Sequence, residues 1–165
     1  PLLPATVQFS LQNAGNPVSQ VTTVVPDRDA EELSRRVAGI RILSQLELVP
    51  PPLAEAVRNH HPPGRMGWIL QQVIGLYYGW ASESQGVLVL DADTLLTRRR
   101  AFLGRDRQQL LSFSHEFVES YENHSMSFWG PRERHRGLSY VTHHQLMQPW
   151  VVREMFLRSV HWLTG

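Results

Sequence analysis

The sequence contains no cysteine. That excludes a disulfide framework, thiolate catalysis and thiolate zinc sites, and it leaves carboxylate and imidazole as the metal ligands on offer. A reducing compartment fits this, and a cytoplasmic location is the expectation. Excess charge of either sign is also missing. Sixteen Lys+Arg stand against fifteen Asp+Glu, a formal net charge of +1, so no strong cationic field points to nucleic acid. No apolar run reaches the roughly 18 residues of a membrane-spanning helix. The most apolar segment, Trp68 to Trp80, is shorter and is interrupted by Gln71 and Gln72, so no transmembrane segment is expected. The chain opens at Pro1 with neither an initiator Met nor a charged-then-apolar leader, which reads as a fragment or a processed piece.

What is present is an ordinary globular composition. In 165 residues, 42% hydrophobic and 19% charged suit one domain with a buried core. Eleven Gly and eleven Pro are spread along the chain, so no linker or low-complexity tract divides it. The basic residues that matter below are Arg, which suits bidentate phosphate recognition, although a GC-rich coding sequence gives the same bias.

Periodicity predicts a helix over Ala5–Ala14, stopped at Gly15-Asn16-Pro17, and a buried strand over Val21–Val25. Asp29 reads as the cap of a helix that buries Leu33 and Val37 and ends at Gly39. A second short strand is expected over Arg41–Val49, ended by Pro50-Pro51-Pro52, then a short helix over Leu53–Asn59. His60-His61-Pro62-Pro63-Gly64 reads as a non-helical loop. A long helix follows over about Met66–Ser82, with Gly75 and Gly79 on one stripe, where a neighbouring backbone can approach. Gly86–Leu90 shows no polar alternation, as in a strand covered on both faces. Further on come a strand at Gln109–Phe113, a helix over Glu116–Trp129 broken by Gly130-Pro131, a strand at Leu138–Thr142 and a helix over Gln148–Leu163. Strands alternating with helices predict an α/β sandwich with a mainly parallel sheet.

In such sheets ligands collect beyond the carboxyl ends of the strands. Asp91 and Asp93 stand there, one residue apart where the apolar strand becomes a loop, and both can turn to one hard cation, Mg²⁺ or Mn²⁺. The plainer reading is a turn with solvated carboxylates. In Tyr140-Val141-Thr142-His143-His144, one imidazole emerging beside the Asp pair can complete the coordination, or both can be surface residues. Arg98-Arg99-Arg100 can reach donor phosphates, or can form a solvated basic turn. Trp68, Gln71 and Gln72 can line a pocket from the long helix, although a Trp at helical spacing is more often core. His60 and His61, beside prolines, read as exposed.

Four segments together resemble a family of bacterial GT-A-like proteins, mostly of unassigned function, that are treated as glycosyltransferases. They are Val24-Val25-Pro26-Asp27, the run Gly67-Trp68-Ile69-Leu70-Gln71-Gln72, the strand and loop from Val87 to Thr94, and Tyr140 to His144, in that order over most of the chain. The resemblance implies a Rossmann-like, three-layer GT-A domain over residues 1–165 that binds a nucleotide-diphosphate sugar. It implies that Asp91 and Asp93 hold the cation bridging the two phosphates, with His143 or His144 near it. The chain departs from the pattern at Gly75, where such proteins tend to carry Lys, and relatives extend further at both ends.

The expected activity is metal-dependent glycosyl transfer from a nucleotide-sugar donor to a saccharide or other hydroxyl acceptor. An inverting reaction needs a carboxylate base, for which Glu116 and Glu119 are candidates by position after a strand. A metal-dependent phosphoryl hydrolase and a non-catalytic nucleotide- or sugar-binding module are the alternatives.

Overall fold

A computed structural model describes residues 2–60, 62–130 and 139–164, the side chains of 63, 128, 129 and those from 160 onward excepted. His61, Pro131 and Leu138, named above, lie outside the described residues. The described residues form a mixed α/β arrangement. Its elements run α1 (Leu3–Asn13), β1 (Thr22–Val25), α2 (Asp27–Arg36), β2 (Arg41–Ser44), α3 (Gln45–Leu48), α4 (Pro51–His60), α5 (Pro63–Ala81), β3 (Val87–Leu90), α6 (Glu119–Trp129), β4 (His144–Met147) and α7 (Pro149–Thr164).

Local chemistry explains several boundaries that periodicity placed differently. The strand expected to reach Val49 stops at Ser44 because Ser44 and Glu47 form a reciprocal capping box. The Ser44 hydroxyl accepts from Glu47 N–H at 3.1 Å and the Glu47 carboxylate accepts from Ser44 N–H at 2.8 Å, which starts α3 instead. Asp29 lies inside α2 rather than capping it. The helix begins at Asp27 after Pro26, and Asp27 and Asp29 place negative charge in its first turn, while Arg35 and Arg36 occupy the last. Prolines that were read as stops or loops open helices, since a first-turn residue needs no backbone donor. Pro51 starts α4, which continues to His60, and Pro63 starts α5. The His60 ring nitrogen closes the end of α4 against Ala56 O at 2.8 Å.

The strands pair two by two. β1 and β2 are parallel, with Thr22 opposite Arg41 and Val25 opposite Ser44, whereas β3 and β4 are antiparallel, with Val87 opposite Met147 and Leu90 opposite His144. The mainly parallel sheet is thus met only by the first pair, and no main-chain ladder joins the two pairs among the described residues. The strand expected at Gln109–Phe113 contributes one isolated bridge, Leu103 to Gln109. The strand expected to end at Thr142 starts instead at His144, after an irregular stretch, Val141 to His143, in which the Thr142 hydroxyl donates to the carbonyl of His144. A short apolar run marks where a strand is possible, and the partner decides where it forms.

Helix α5 is common to both pairs. Tyr78 shares a hydrogen bond with Thr22 of β1 at 2.9 Å. On the same helix Gly75 and Gly79 are buried. A Cβ at Gly75 would stand 3.6 to 3.7 Å from Met147 and Val89, and one at Gly79 would stand 3.3 Å from the Met147 sulfur. The glycine stripe therefore admits side chains of β3 and β4 rather than a backbone, and Val152 of α7 closes on it as well. Beyond this lies a cluster of Leu96, Phe102 and Leu146, with Leu88, Leu90 and Leu103 packed around it. The segment before Phe102 meets the end of α1 closely: Gly15 N–H donates to Arg100 O at 2.6 Å, and a Cβ there would lie 2.8 Å from Arg100 and Ala101 backbone atoms, so the crossing requires glycine. Asn16 fastens the same crossing by accepting from Phe102 N–H and Leu103 N–H and donating to Leu103 O.

Candidate functional site

Antiparallel pairing of β3 with β4 carries the chain past the end of both strands at one place. Asp91 follows Leu90 there, and His143 precedes His144 directly opposite. Asp91 N–H donates to His143 O at 3.2 Å, extending the ladder by one bond. The loop then tightens as Thr94 N–H donates to Asp91 O at 2.9 Å, and buried Thr6 of α1 holds it from the other side by donating to Ala92 O at 2.8 Å.

This brings three of the expected side chains into one hydrogen-bonded group. His143 Nδ1 is 3.2 Å from one oxygen of the Asp91 carboxylate, and Gln71 of α5 donates to the other at 2.8 Å. The His143 ring is largely exposed. Asp93 is exposed and makes no hydrogen bond or ion pair among the described residues.

The group sits on the wall of an open cleft of about 2840 Å³, which β1, α5, β3 and the segments around residues 102–107, 114–125 and 139–146 enclose. Trp68, Gln71, Gln72, Asp91, Asp93, Glu116 and His143 all line it. Trp68 is half exposed. Its side chain is therefore a wall of the cleft rather than core.

Other expected residues lie elsewhere. His144 touches the cleft but turns from the carboxylate, as alternation along a strand requires of neighbouring residues. Its ring packs edge-on to Phe102, with centroids 5.6 Å apart, and its Nε2 meets the Ser112 hydroxyl at 2.9 Å. Arg100 donates to that hydroxyl at 2.7 Å, so Ser112 links the guanidinium to the His144 ring. Arg98 is exposed and outside the cleft lining, as is Glu119, which opens α6 where a negative charge favours the helix dipole. Of the two carboxylates considered as base, Glu116 alone faces the cleft. Sequence reasoning missed Thr6, which shows no motif and is placed only by the crossing of α1 over the Asp91 loop.

Burial, and then the positive charge of Arg100 and the neighbouring His143, hold the His144 pKa below its ordinary value of 6.5. The unfolded chain therefore binds a proton at His144 at a higher pH than the folded chain does. The stability this histidine supports is complete above about pH 6.5 and declines as pH falls through the folded value. We expect His144→Gln to lose less stability than the unaltered chain between pH 7.5 and pH 5, read as the shift in urea midpoint at the two pH values. Equal shifts would show that His144 does not govern the acid response.

Among the described residues no three His, Cys, Asp or Glu side chains converge as a cage for a metal. The chain offers Asp91 and His143 together, with Asp93 two residues on. That donor set suits Mg²⁺ or Mn²⁺, which take one or two protein carboxylates and fill the remaining positions with water and phosphate oxygens. It does not suit a closed structural zinc site. Among the described residues no helix is long and apolar enough to cross a membrane. No family model, curated protein or solved structure matches this chain.

Proposed function

We propose that the chain is a metal-dependent glycosyltransferase domain of the GT-A kind, moving a sugar from a nucleotide-diphosphate donor to a hydroxyl acceptor. The observation that carries the reading is the meeting of Asp91, His143 and Gln71 at the carboxyl end of an apolar strand, on the wall of a large cleft. Asp91 and Asp93 with His143 would hold Mn²⁺ or Mg²⁺. The bound cation would supply Lewis-acid neutralisation of the departing nucleoside diphosphate, an effect of several kcal/mol.

The chain's own residues divide the remaining work. Gln71 holds one oxygen of the Asp91 carboxylate from α5 while His143 meets the other, and all three residues line the cleft. Trp68, half exposed on the same helix, offers a flat apolar face for a base or sugar ring. Glu116 is the carboxylate positioned to accept a proton from an acceptor hydroxyl if the reaction inverts configuration. The cleft is larger than the roughly 300–1000 Å³ of a single small-ligand pocket, which suits two substrates held at once.

Calorimetric titration with nucleoside diphosphates in Mn²⁺ and in EDTA tests the reading. Binding in Mn²⁺ that EDTA abolishes, followed by turnover of one sugar donor in a screen, is the expected result. Binding that ignores EDTA would sink the metal assignment. Metal-dependent binding without turnover of any donor would make the chain a binding module.

A further inference from the structure

Each strand pair leaves one edge unpaired, and the two edges line the same cleft. In the parallel pair Arg41 N–H donates to Val21 O at 2.9 Å, so the ladder uses the main-chain groups of Val21, Thr23 and Val25. Those of Thr22 and Val24 face away from β2. In the antiparallel pair Asp91 N–H donates to His143 O, so alternation assigns Val87 and Val89 to β4 and turns Leu88 and Leu90 away from it. None of these four residues has a main-chain hydrogen bond elsewhere among the described residues. All four are half-buried and line the cleft. Main-chain donors and acceptors withdrawn from water are nearly always paired.

The walls of the cleft fit one more strand. β3 touches α5 directly, a Cβ at Gly75 lying 3.7 Å from Val89, whereas β1 is reached only by the far end of the Tyr78 side chain, one turn along the helix. The two strands thus stand apart, with α5 spanning the gap. Helix α1 faces the same space, with Leu3, Val7 and Ser10 in its lining. Ser10 Oγ is buried and has no hydrogen-bond partner among the described residues. Both walls present N–H and C=O groups at every second residue, the rhythm of a strand, and the unalternating apolar run of β3 is that of a central strand.

Helix α1 also fixes where such a strand enters, because it runs back along β3. Thr6 holds Ala92 O beyond the carboxyl end of β3. Asn16, just past the helix, holds Leu103, whose side chain would stand 3.5 Å from a Cβ on Gly86 at the other end of β3. A segment leading into Leu2 therefore arrives beside the carboxyl end of β3, and a strand of that segment lying in the gap runs parallel to β3. α1 then joins it to β1 as α2 joins β1 to its parallel neighbour β2, the strand, helix, strand crossover of α/β folds.

We propose that the gap between β1 and β3 is a strand site, filled by a β-strand of the polypeptide that leads into α1. The added strand pairs with Thr22 and Val24 on one side and with Leu88 and Leu90 on the other. It joins the two pairs into one five-stranded sheet in the order β2, β1, added strand, β3, β4. A strand from a second molecule would meet the same edges, but α1 sets a covalent one at the entrance. Beyond Leu90 the cleft stays open at Asp91, Gln71 and Trp68, the end at which sheets of this kind bind ligands. The strand site stands whether or not that end transfers sugar.

Residue-resolved hydrogen exchange tests it on the 165-residue chain, alone and with Val-Leu-Val-Leu-Asn-Ser joined ahead of Pro1. In the chain alone, the amides of Thr22, Val24, Leu88 and Leu90 are expected to exchange faster than those of Thr23, Val25 and Val89. The extension should slow these four by more than about tenfold and raise the urea midpoint. An extension with proline at alternate strand positions, Val-Pro-Val-Pro-Asn-Ser, lacks the donors and should do neither. Four amides already as slow as their neighbours in the chain alone would overturn the proposal, as would an extension that leaves them unchanged or equal protection by the proline form. So would light scattering that shows a dimer protecting the same amides, since a second copy would then fill the site.

Discussion

Asp91→Ala is expected to bind nucleoside diphosphate in Mn²⁺ about a hundredfold to a thousandfold more weakly than the unaltered chain, the equivalent of the several kcal/mol a phosphate-neutralising cation supplies. The prediction rests on the convergence at the end of β3, where Asp91 is the residue that both Gln71 and His143 address. Gln71→Ala removes a partner that orients the carboxylate rather than a ligand, so a smaller loss of about tenfold to a hundredfold is expected. Asp93→Ala should also abolish metal-dependent binding while leaving thermal unfolding unchanged, because its side chain is exposed and has no partner among the described residues. Calorimetry in Mn²⁺ with an unfolding midpoint for each variant separates the cases. If Asp93→Ala binds as tightly as the unaltered chain, Asp93 is a solvated turn residue and the pair is not a metal site. If Asp91→Ala instead unfolds while its folded fraction binds normally, the Asp91 contacts are structural.

The largest loss of stability is expected at Phe102. It is 3% exposed and sits between Leu96 and Leu146 in the cluster that joins β4 to the Asp91 loop. Truncation to Ala removes a ring and leaves a cavity, which costs about 3–5 kcal/mol at buried aromatic positions. Against a total of about 5–15 kcal/mol for a folded domain, that is a large fraction. The urea midpoint of Phe102→Ala should fall accordingly with little change in slope. A loss under about 1 kcal/mol would mean that this cluster relaxes around the deletion and is not the packing centre. The ring also supports His144 edge-on, so the variant should weaken diphosphate binding in the folded fraction as β4 loosens.

The parts of the fold that were legible in the sequence are those with a strong local cause. α1, β1, β3 and α7 appear within a few residues of where periodicity places them, since stop signals or an unbroken apolar run mark them. Ser44-Gln45-Leu46-Glu47 could have been read as a capping box and was taken as strand, because Leu46 and Leu48 imitate alternation. Pairing was not legible. Whether Val87–Leu90 lies parallel or antiparallel to a partner depends on Met147 and Leu146 meeting Gly79 and Gly86 across the molecule, contacts that no local pattern announces.

The candidate site divides on similar lines. Asp91 could be read from an abrupt strand end, and Gln71 from its helix, but nothing in His143-His144 says which ring faces the carboxylate. Pairing decides it, since Leu90 stands opposite His144 and leaves His143 beside Asp91. Arg98 and Glu119 were plausible by type, and the backbone carries both away from the cleft. The chemistry was legible where the residue type limits the role. The partners were not, because they are set by tertiary return.

That return also orders events in time. β1 and β2 are separated by one short helix, so their pairing closes a small loop. Asp91 and His143 are 52 residues apart in sequence, and bringing distant segments together costs more chain entropy before any contact repays it. Helix α5, touching Thr22 at Tyr78 and Val89 at Gly75, can assemble on the first pair early and wait for β3 to receive β4. The carboxylate–imidazole contact therefore depends on long-range closure, as do the still more distant contacts of Thr6 with Ala92 and of Asn16 with Leu103, 86 and 87 residues apart. The amide protons of Asp91 and Thr94 would exchange with solvent through openings that leave β1 and β2 intact.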